Sequence, residues 1–375
     1  MSGNSYNCVT VSTTALKHNY NYIKSKVGPD VQVMAMVKAD GYGHDMVRAA
    51  KVFADVGCTV FGVAELCEAV KLRNSGISGQ IFVMLGFENA EADFFLEYDL
   101  TPVIFDYHSA QSLSDSGLKA GKQIGVHIKV DTGMSRLGVK PEELIGFIAK
   151  IDELEGISIA GVMSHFPESD NIESNSTGKG FASFTDACRT LKNRFKGVCH
   201  IANSGAVLNF PNTYCDMVRA GIALYGYHPT VRQQSEEELE NGLIPAMSFS
   251  SKVVQVKTVP EGTGISYGHT FTTGRETRLA VLPVGYEDGF SRILSNRGEV
   301  LIRGQRVPVI GRICMNLCMV DITDTDEVSA GDEVVFLGVQ GKETITADDI
   351  AEKTGSISYE ILCLLGNNNK RTYRE

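Results

Sequence analysis

The chain is 375 residues long and carries 45 acidic against 35 basic side chains, a net charge of −10. That length exceeds one ordinary hydrophobic core and predicts two domains, while an acidic balance with no dense Lys/Arg stretch argues against nucleic acid as partner and for a small-molecule ligand. Nine cysteines lie scattered without zinc-ligand spacing, which predicts reduced thiols, no metal centre and a cytoplasmic setting; no apolar stretch reaches membrane-spanning length, and the start Met1-Ser2-Gly3-Asn4-Ser5 is polar, so no membrane contact by this chain itself is expected.

From residue 31 onward, short β-rich runs alternate with amphipathic segments. The runs fall at 31–37, 59–63, 81–85, 102–105, 124–130, 157–163, 198–202 and 215–218. Segments 45–56, 65–74 and 141–154 read as helices, the last opening with Pro141 ahead of Glu142 and Glu143. This rhythm predicts an α/β fold, a parallel (β/α)8 TIM-like barrel spanning 8–238. A doubly wound open sheet is the main competitor, weakened because no Gly-x-Gly-x-x-Gly turn comes after the first strand. Past residue 240 the pattern becomes short alternating runs with glycine-rich turns: 248–259, 278–284, 299–302, 307–310, 318–322 and 333–337, with little helix before 346–353. A mainly-β C-terminal domain, 239–375, is expected, with residues 1–7 pairing with it, and the acidic stretch 232–241 reads as a linker.

The chemistry is concentrated at strand ends. Lys38 closes the first apolar run, and Ala39-Asp40-Gly41-Tyr42-Gly43-His44 comes directly after it. A lysine on a buried strand loses hydration, which favours its neutral amine and makes it able to condense with an aldehyde. The plain alternative is a strand-ending lysine that reaches solvent. Other polar residues recur at later strand ends: Lys129 with Asp131, His165, Asn203 with Ser204, and Arg219. Ser204-Gly205 and Arg219-Ala220-Gly221-Ile222 sit where barrels often bind phosphate. A phosphate on one side and an amine on the other point to pyridoxal phosphate, or to an aldolase-like site for a phosphorylated sugar.

The segment Val37-Lys38-Ala39-Asp40-Gly41-Tyr42-Gly43-His44 resembles the pyridoxal-phosphate attachment motif of the alanine racemase family, whose fold is a barrel plus a β-domain. The resemblance continues in order through 126–138, Ser164-His165-Phe166, Ala202-Asn203-Ser204, 218–222, Ser266-Tyr267-Gly268, Val284-Gly285-Tyr286, 311–315 and 359–362. It implies a homodimer with composite active sites and two acid/base groups flanking the substrate α-carbon: Lys38, and Tyr267 from the partner subunit. A tyrosine, with an ordinary pKa near 10, needs neighbouring positive charge or donors to act at neutral pH. The resemblance further implies that Arg219 meets the pyridine nitrogen with His165 orienting it. Arg136 would contact the cofactor phenolate and the substrate carboxylate beside a carbamylated Lys129. Tyr42, Ser204, Tyr359 and the amides of Gly221 and Ile222 would hold the phosphate, with Asn203 alongside. Met315 would offer its N–H to the substrate carboxylate, and Tyr286 would line the entrance.

One position departs from the family pattern: Asn316 stands where aspartate is usual. An amide there removes repulsion against a carboxylate and could favour a side-chain hydroxyl, which makes serine a credible substrate beside alanine. The chain is thus similar to the racemase domains of vancomycin-resistance serine racemases, which are cytoplasmic parts of membrane proteins and supply D-amino acids for peptidoglycan. Rival readings are a strict alanine racemase, a non-catalytic pyridoxal-phosphate-carrying barrel protein, and a decarboxylase of the same architecture.

Overall fold

The computed structural model describes residues 5–191, 197–229 and 242–375, so the expected linker at 232–241 and the boundary at 238/239 lie outside the described residues. The chain divides into two compact units. One comprises Leu16–Gly41 and Met46–Ile244; the other comprises Met1–Ala15, Tyr42–Asp45 and Pro245–Glu375.

The strand β1 (Cys8–Ser12) opens the chain and belongs to the second unit. The first unit is built on β2 (Gln32–Met36), β3 (Val60–Val63), β4 (Gln80–Val83), β5 (Thr101–Ile104), β6 (Ile124–Lys129), β7 (Ile157–Met163), β8 (Val198–His200) and β9 (Met217–Ala220). These form one sheet in the order β8-β7-β6-β5-β4-β3-β2-β9, with every pairing parallel. Bonds from Asp216 N–H to Cys199 O (3.1 Å) and from Arg219 N–H to Ala202 O (2.8 Å) join the two ends and close the barrel. All eight strands fall within about two residues of the runs read from the sequence. The reason is burial on both faces: β3 and β5 are buried at every position, which demands continuous apolar runs rather than alternation. Helices cover the outside. Met46–Asp55 shows how: Met46, Ala49, Ala50, Val52 and Phe53 are buried at helical spacing, and a fully buried side chain such as Phe53 contributes roughly 1.5–3 kcal/mol.

The second unit is mainly β. Here β10 (Met247–Lys252), β15 (Glu299–Ile302), β16 (Gln305–Pro308), β18 (Glu333–Gln340), β19 (Glu343–Ile345) and β20 (Arg371–Arg374) join β1 in one sheet ordered β16-β15-β18-β10-β1-β20, with β19 on β18. A second sheet, β11-β14-β17, uses β11 (Gln255–Val259), β14 (Thr277–Leu282) and β17 (Cys318–Asp321), and β12 (Gly264–Ile265) pairs with β13 (Phe271–Thr272). The sequence places the start of the barrel at residue 8, and the structure corrects this. Strand β1 lies between β10, antiparallel, and β20, parallel, because Val9 and Val11 alternate with half-buried Cys8, Thr10 and Ser12. The single expected strand at 248–259 divides into β10 and β11. The helix expected at 346–353 is Ala347–Thr354, capped by Thr346 and Asp349 through reciprocal bonds of 3.0 and 2.8 Å. A further helix, Ser358–Asn368, was not anticipated. No helix among the described residues is long and apolar enough to cross a membrane.

Candidate active site

Lys38 stands two residues beyond β2, with Val37 N–H bonded to Gly62 O at 2.9 Å. The residues after it form a left-handed turn rather than an ordinary loop. Ala39, Asp40, Gly41, Tyr42 and Gly43 all have positive φ, and Gly41 N–H closes the turn on Val37 O at 2.9 Å. Left-handed backbone costs an L-residue about 1–2 kcal/mol, so something must hold this segment. Glu68 accepts from Ala39 N–H at 2.8 Å, and Asp40 accepts from Met46 N–H at 3.1 Å. The glycine at 41 fits for a second reason: a Cβ there would lie 3.1 Å from the Met46 nitrogen.

Arg219 is buried on β9 in register with Met34 of β2 and is heavily hydrogen-bonded. Its terminal nitrogens donate to the carbonyls of His200 (3.0 Å), Ser164 (2.6 Å) and Ile201 (3.0 Å), and to Nδ1 of His200 and of His165 (both 3.1 Å). Burial pulls the Arg219 pKa down to about 9, still above neutrality, so the guanidinium remains a cation and a donor only. The imidazoles must therefore accept at Nδ1 and carry their hydrogen on Nε2. His200 then donates from Nε2 to Nδ1 of His127 on β6 at 3.0 Å. The space for that ring exists because residue 161 is glycine: a Cβ would fall 2.1 Å from His127 Cε1. Burial lowers the pKa of His127 to about 4, and burial together with the charge of Arg219 holds His165 and His200 well below the ordinary imidazole value. The result is a chain of neutral imidazoles around one fixed cation. The Arg219 Nε–H has no acceptor among the described residues, which leaves one directed donor for a ligand.

Lys129, at the end of β6, is buried, and burial with the like charges of Arg136, Arg219 and Lys38 lowers its pKa to about 8, against the pull of Asp131. Asp131 is already committed. Its carboxylate accepts backbone N–H bonds from Gly133 and Ser135 (3.0 Å each) and Arg136 (3.1 Å), which shape the turn carrying Arg136. Burial opposes that charge, yet these amides hold the carboxyl below the ordinary carboxylate range. The rim thus gathers Lys38, Arg136 and Arg219 closely enough that their like charges act on the Lys129 amine.

After β8, Asn203 caps the helix Ser204–Asn209, accepting from Ala206 N–H (3.1 Å) and Ser169 Oγ (2.6 Å). Ser204 Oγ accepts from Gly221 N–H (2.8 Å) and Ala223 N–H (3.3 Å). The Gly221 amide, which the resemblance places at the phosphate, is bonded here to the neighbouring Ser204 hydroxyl. Two donors remain: the Ser204 O–H, which has accepted twice and still has its hydrogen to give, and the Ile222 N–H, which has no protein acceptor among the described residues. Concentrated cations, a spare guanidinium N–H, a hydroxyl and an amide suit a ligand bearing a ring nitrogen and a phosphate. On that donor set the residues fit pyridoxal phosphate.

The other expected site residues lie in the second unit. Tyr42 and Tyr359 are neighbours, ring centroids 6.1 Å apart. Tyr267 is 71% exposed on a turn between β12 and β13, so it is no packed core aromatic. Ser266 holds a positive φ there, its hydroxyl donating to Arg312 O at 2.6 Å, and the Arg312 guanidinium lies against Gly268, 3.0 Å from where a Cβ would stand. The turn borders an open cavity of 560 Å³ lined among others by Lys257, His269, Cys314 and Leu317. Met315 (54% exposed) and Asn316 form the tip of a second turn, closed by Cys314 N–H to Leu317 O at 2.8 Å, and Tyr286 is also exposed. Asn316 Nδ2 donates to the carboxylate of Glu287.

Sequence reasoning missed His127, His200, Arg312 and Glu287. Signals existed for the two histidines, each a polar residue inside an apolar barrel strand, where only an inward, satisfied position is tolerable. Arg312 and Glu287 gave no local signal, because their contacts are with residues far along the chain.

A model of the alanine racemase N-terminal domain matches residues 11–229, and one of the alanine racemase C-terminal domain matches 246–373. The chain is 40% identical over 368 residues to the alanine racemase of Halothermothrix orenii, covering 97% of this chain and 96% of that one. It is 40% identical over 366 residues to the alanine racemase of Methanococcus maripaludis, covering 97% of each. Among solved structures, the alanine racemase of Streptomyces lavendulae superposes with a TM-score of 0.92 at 32% identity, covering 100% and 98% of the two chains. That of Bartonella henselae, with covalently bound pyridoxal phosphate, gives 0.90 at 29% identity, covering 99% and 100%. The chain belongs to the alanine racemase family of pyridoxal-phosphate-dependent isomerases.

Proposed function

We propose that this chain racemises serine and alanine, L to D and back, using Lys38 and, from the partner subunit of a homodimer, Tyr267. The observation that carries the reading is the Arg219 constellation: a fixed cation with one N–H unengaged among the described residues, beside Lys38, Lys129 and Arg136. Pyridoxal phosphate, when bound, supplies the electron-withdrawing ring that acidifies the hydrogen on the substrate α-carbon. The Lys38 amine takes or returns that proton on one face, and the Tyr267 phenol does so on the other. Arg219 donates Nε–H to the ring nitrogen and keeps its own proton, which leaves the nitrogen unprotonated and restrains side reactions such as transamination. The hydroxyls of Ser204, Tyr42 and Tyr359 and the Ile222 amide hold the phosphate. Arg136 takes the ring phenolate and the substrate carboxylate, steered by Lys129 as a carbamate. The depressed Lys129 pKa supports this, since only the neutral amine adds carbon dioxide. Met315 N–H meets the carboxylate, Tyr286 lines the entrance and Asn316 meets the side chain.

In this reading the enzyme works in the cytoplasm, alone or as part of a membrane-tethered serine racemase of the vancomycin-resistance kind, and supplies D-amino acids for peptidoglycan. The names of the relatives favour a second reading, a strict alanine racemase. Chiral chromatography of L-serine and L-alanine incubations separates the two. A kcat/KM for L-serine within about tenfold of that for L-alanine is expected; a deficit above about a hundredfold, roughly 3 kcal/mol of transition-state binding, removes serine. Carbon dioxide release would indicate a decarboxylase, and bound cofactor without turnover a carrier.

A further inference from the structure

The two turns that carry Tyr286 and Met315 are built as one piece. Tyr286 N–H bonds to Cys314 O and Glu287 N–H to Met315 O, both at 3.1 Å. The approach is close enough that a Cβ on residue 285 would sit 2.1 Å from Met315 O and 2.2 Å from Cys314 O, which only glycine permits. Asp288 accepts from Gly285 N–H and from Asn7 Nδ2, both at 2.8 Å, fixing the base of the same turn. On this platform the Glu287 carboxylate takes the Nδ2 of Asn316.

A carboxylate at neutral pH only accepts hydrogen bonds, so Glu287 binds the NH2 end of the Asn316 amide and leaves the carbonyl end, Oδ1, as the group on offer. An unrestrained amide would present either end. We infer that Glu287 is a specificity-positioning residue: it locks Asn316 with its acceptor outward, selecting a substrate whose side chain donates a hydroxyl hydrogen. The inference rests on the serine reading above and names the residue that tunes it. Aspartate at 316 would set two carboxylates against each other, so the pair Glu287 with Asn316 works as a unit. Alanine has no donor to offer and gains nothing from the lock.

The test uses the holoenzyme. In E287A, kcat/KM for L-serine should fall about tenfold, chiefly through KM, while that for L-alanine stays within about twofold; E287Q, whose amide carbonyl still accepts from Asn316, should recover most of the serine activity. A parallel loss for both amino acids, or an unchanged ratio, overturns the inference and makes Glu287 a part of the turn scaffold. The side-chain amide resonances of Asn316 give an independent readout, and they should shift between wild type and E287A. If the wild type does not turn over serine, the serine reading fails by itself; unmoved Asn316 resonances in E287A would show that the lock is absent whatever the substrate.

Discussion

The barrel rim and the turns of the β unit treat their polar side chains in opposite ways. At the rim, Arg219, His200 and His127 are buried and interlocked, each hydrogen bond fixing the direction of the next. In the β unit, Tyr267 and Met315 stand exposed, and it is the backbone beneath them that is fixed, by the positive φ at Ser266 and the close approach at Gly285. Preorganisation by burial makes an electrostatic environment; preorganisation by strained turns fixes the backbone beneath groups that stay exposed. The first is costly to disturb and shows in stability. The second should show in rate alone.

The largest expected effect tests the reaction itself. Lys38→Ala should lower racemisation by about 10⁴-fold or more, and borohydride reduction in the presence of pyridoxal phosphate should label Lys38 in the wild type but nothing at that position in the variant. Residual activity within tenfold would remove Lys38 from the chemistry. Tyr267→Phe should cost about 10²–10⁴-fold in kcat with the urea midpoint of unfolding unchanged, which is the signature expected of an exposed residue on a prebuilt turn. A large drop in stability would break the contrast between the two regions. Arg219→Met should do the reverse of that pattern, losing about 3–5 kcal/mol of stability because two imidazoles and three carbonyls lose their donor at once. Urea unfolding of the apoprotein is the measurement.

The buried imidazoles also predict a pH window. The folded-state pKa of His127 is about 4, below the ordinary value near 6.5, so the unfolded chain binds the proton first and stability falls as pH drops from about 6.5 towards 4. That single group accounts for about 3 kcal/mol, and His165 and His200 act in the same direction. Urea melts at pH 7, 5.5 and 4.5 should show the decline, and His127→Leu should flatten part of it. The smallest effect concerns the left-handed turn. Ala39→Gly relieves the φ penalty but adds freedom to the unfolded chain, so stability should change by about 1 kcal/mol or less, on the stabilising side. Clear destabilisation would mean that the Ala39 methyl group has a packing role.

Most of the fold was legible because the barrel strands are buried on both faces and each reads as an apolar run of the expected length. Strand β1 was not, since five alternating residues at a terminus carry no sign of which sheet they will join. Helix Ser358–Asn368 was hidden because its motif, Tyr359-Glu360-Ile361-Leu362, was legible as a motif and not as an element. Within the site, Lys38, Lys129, His165 and Arg219 were visible as polar residues ending apolar strands. The bond from the Gly221 amide to the Ser204 hydroxyl was not visible, because it depends on loop geometry that spacing does not encode.

By itself the amino-acid order determined the architecture and the candidate reactive groups, because periodicity and local residue chemistry are properties of the covalent chain. The tertiary structure alone decided the donor and acceptor assignments: His200 reads Arg219 and passes that direction to His127, and Glu287 turns the Asn316 amide. Hydrogen bonds between residues distant in sequence are set by where strands and turns bring them, and no local pattern records that.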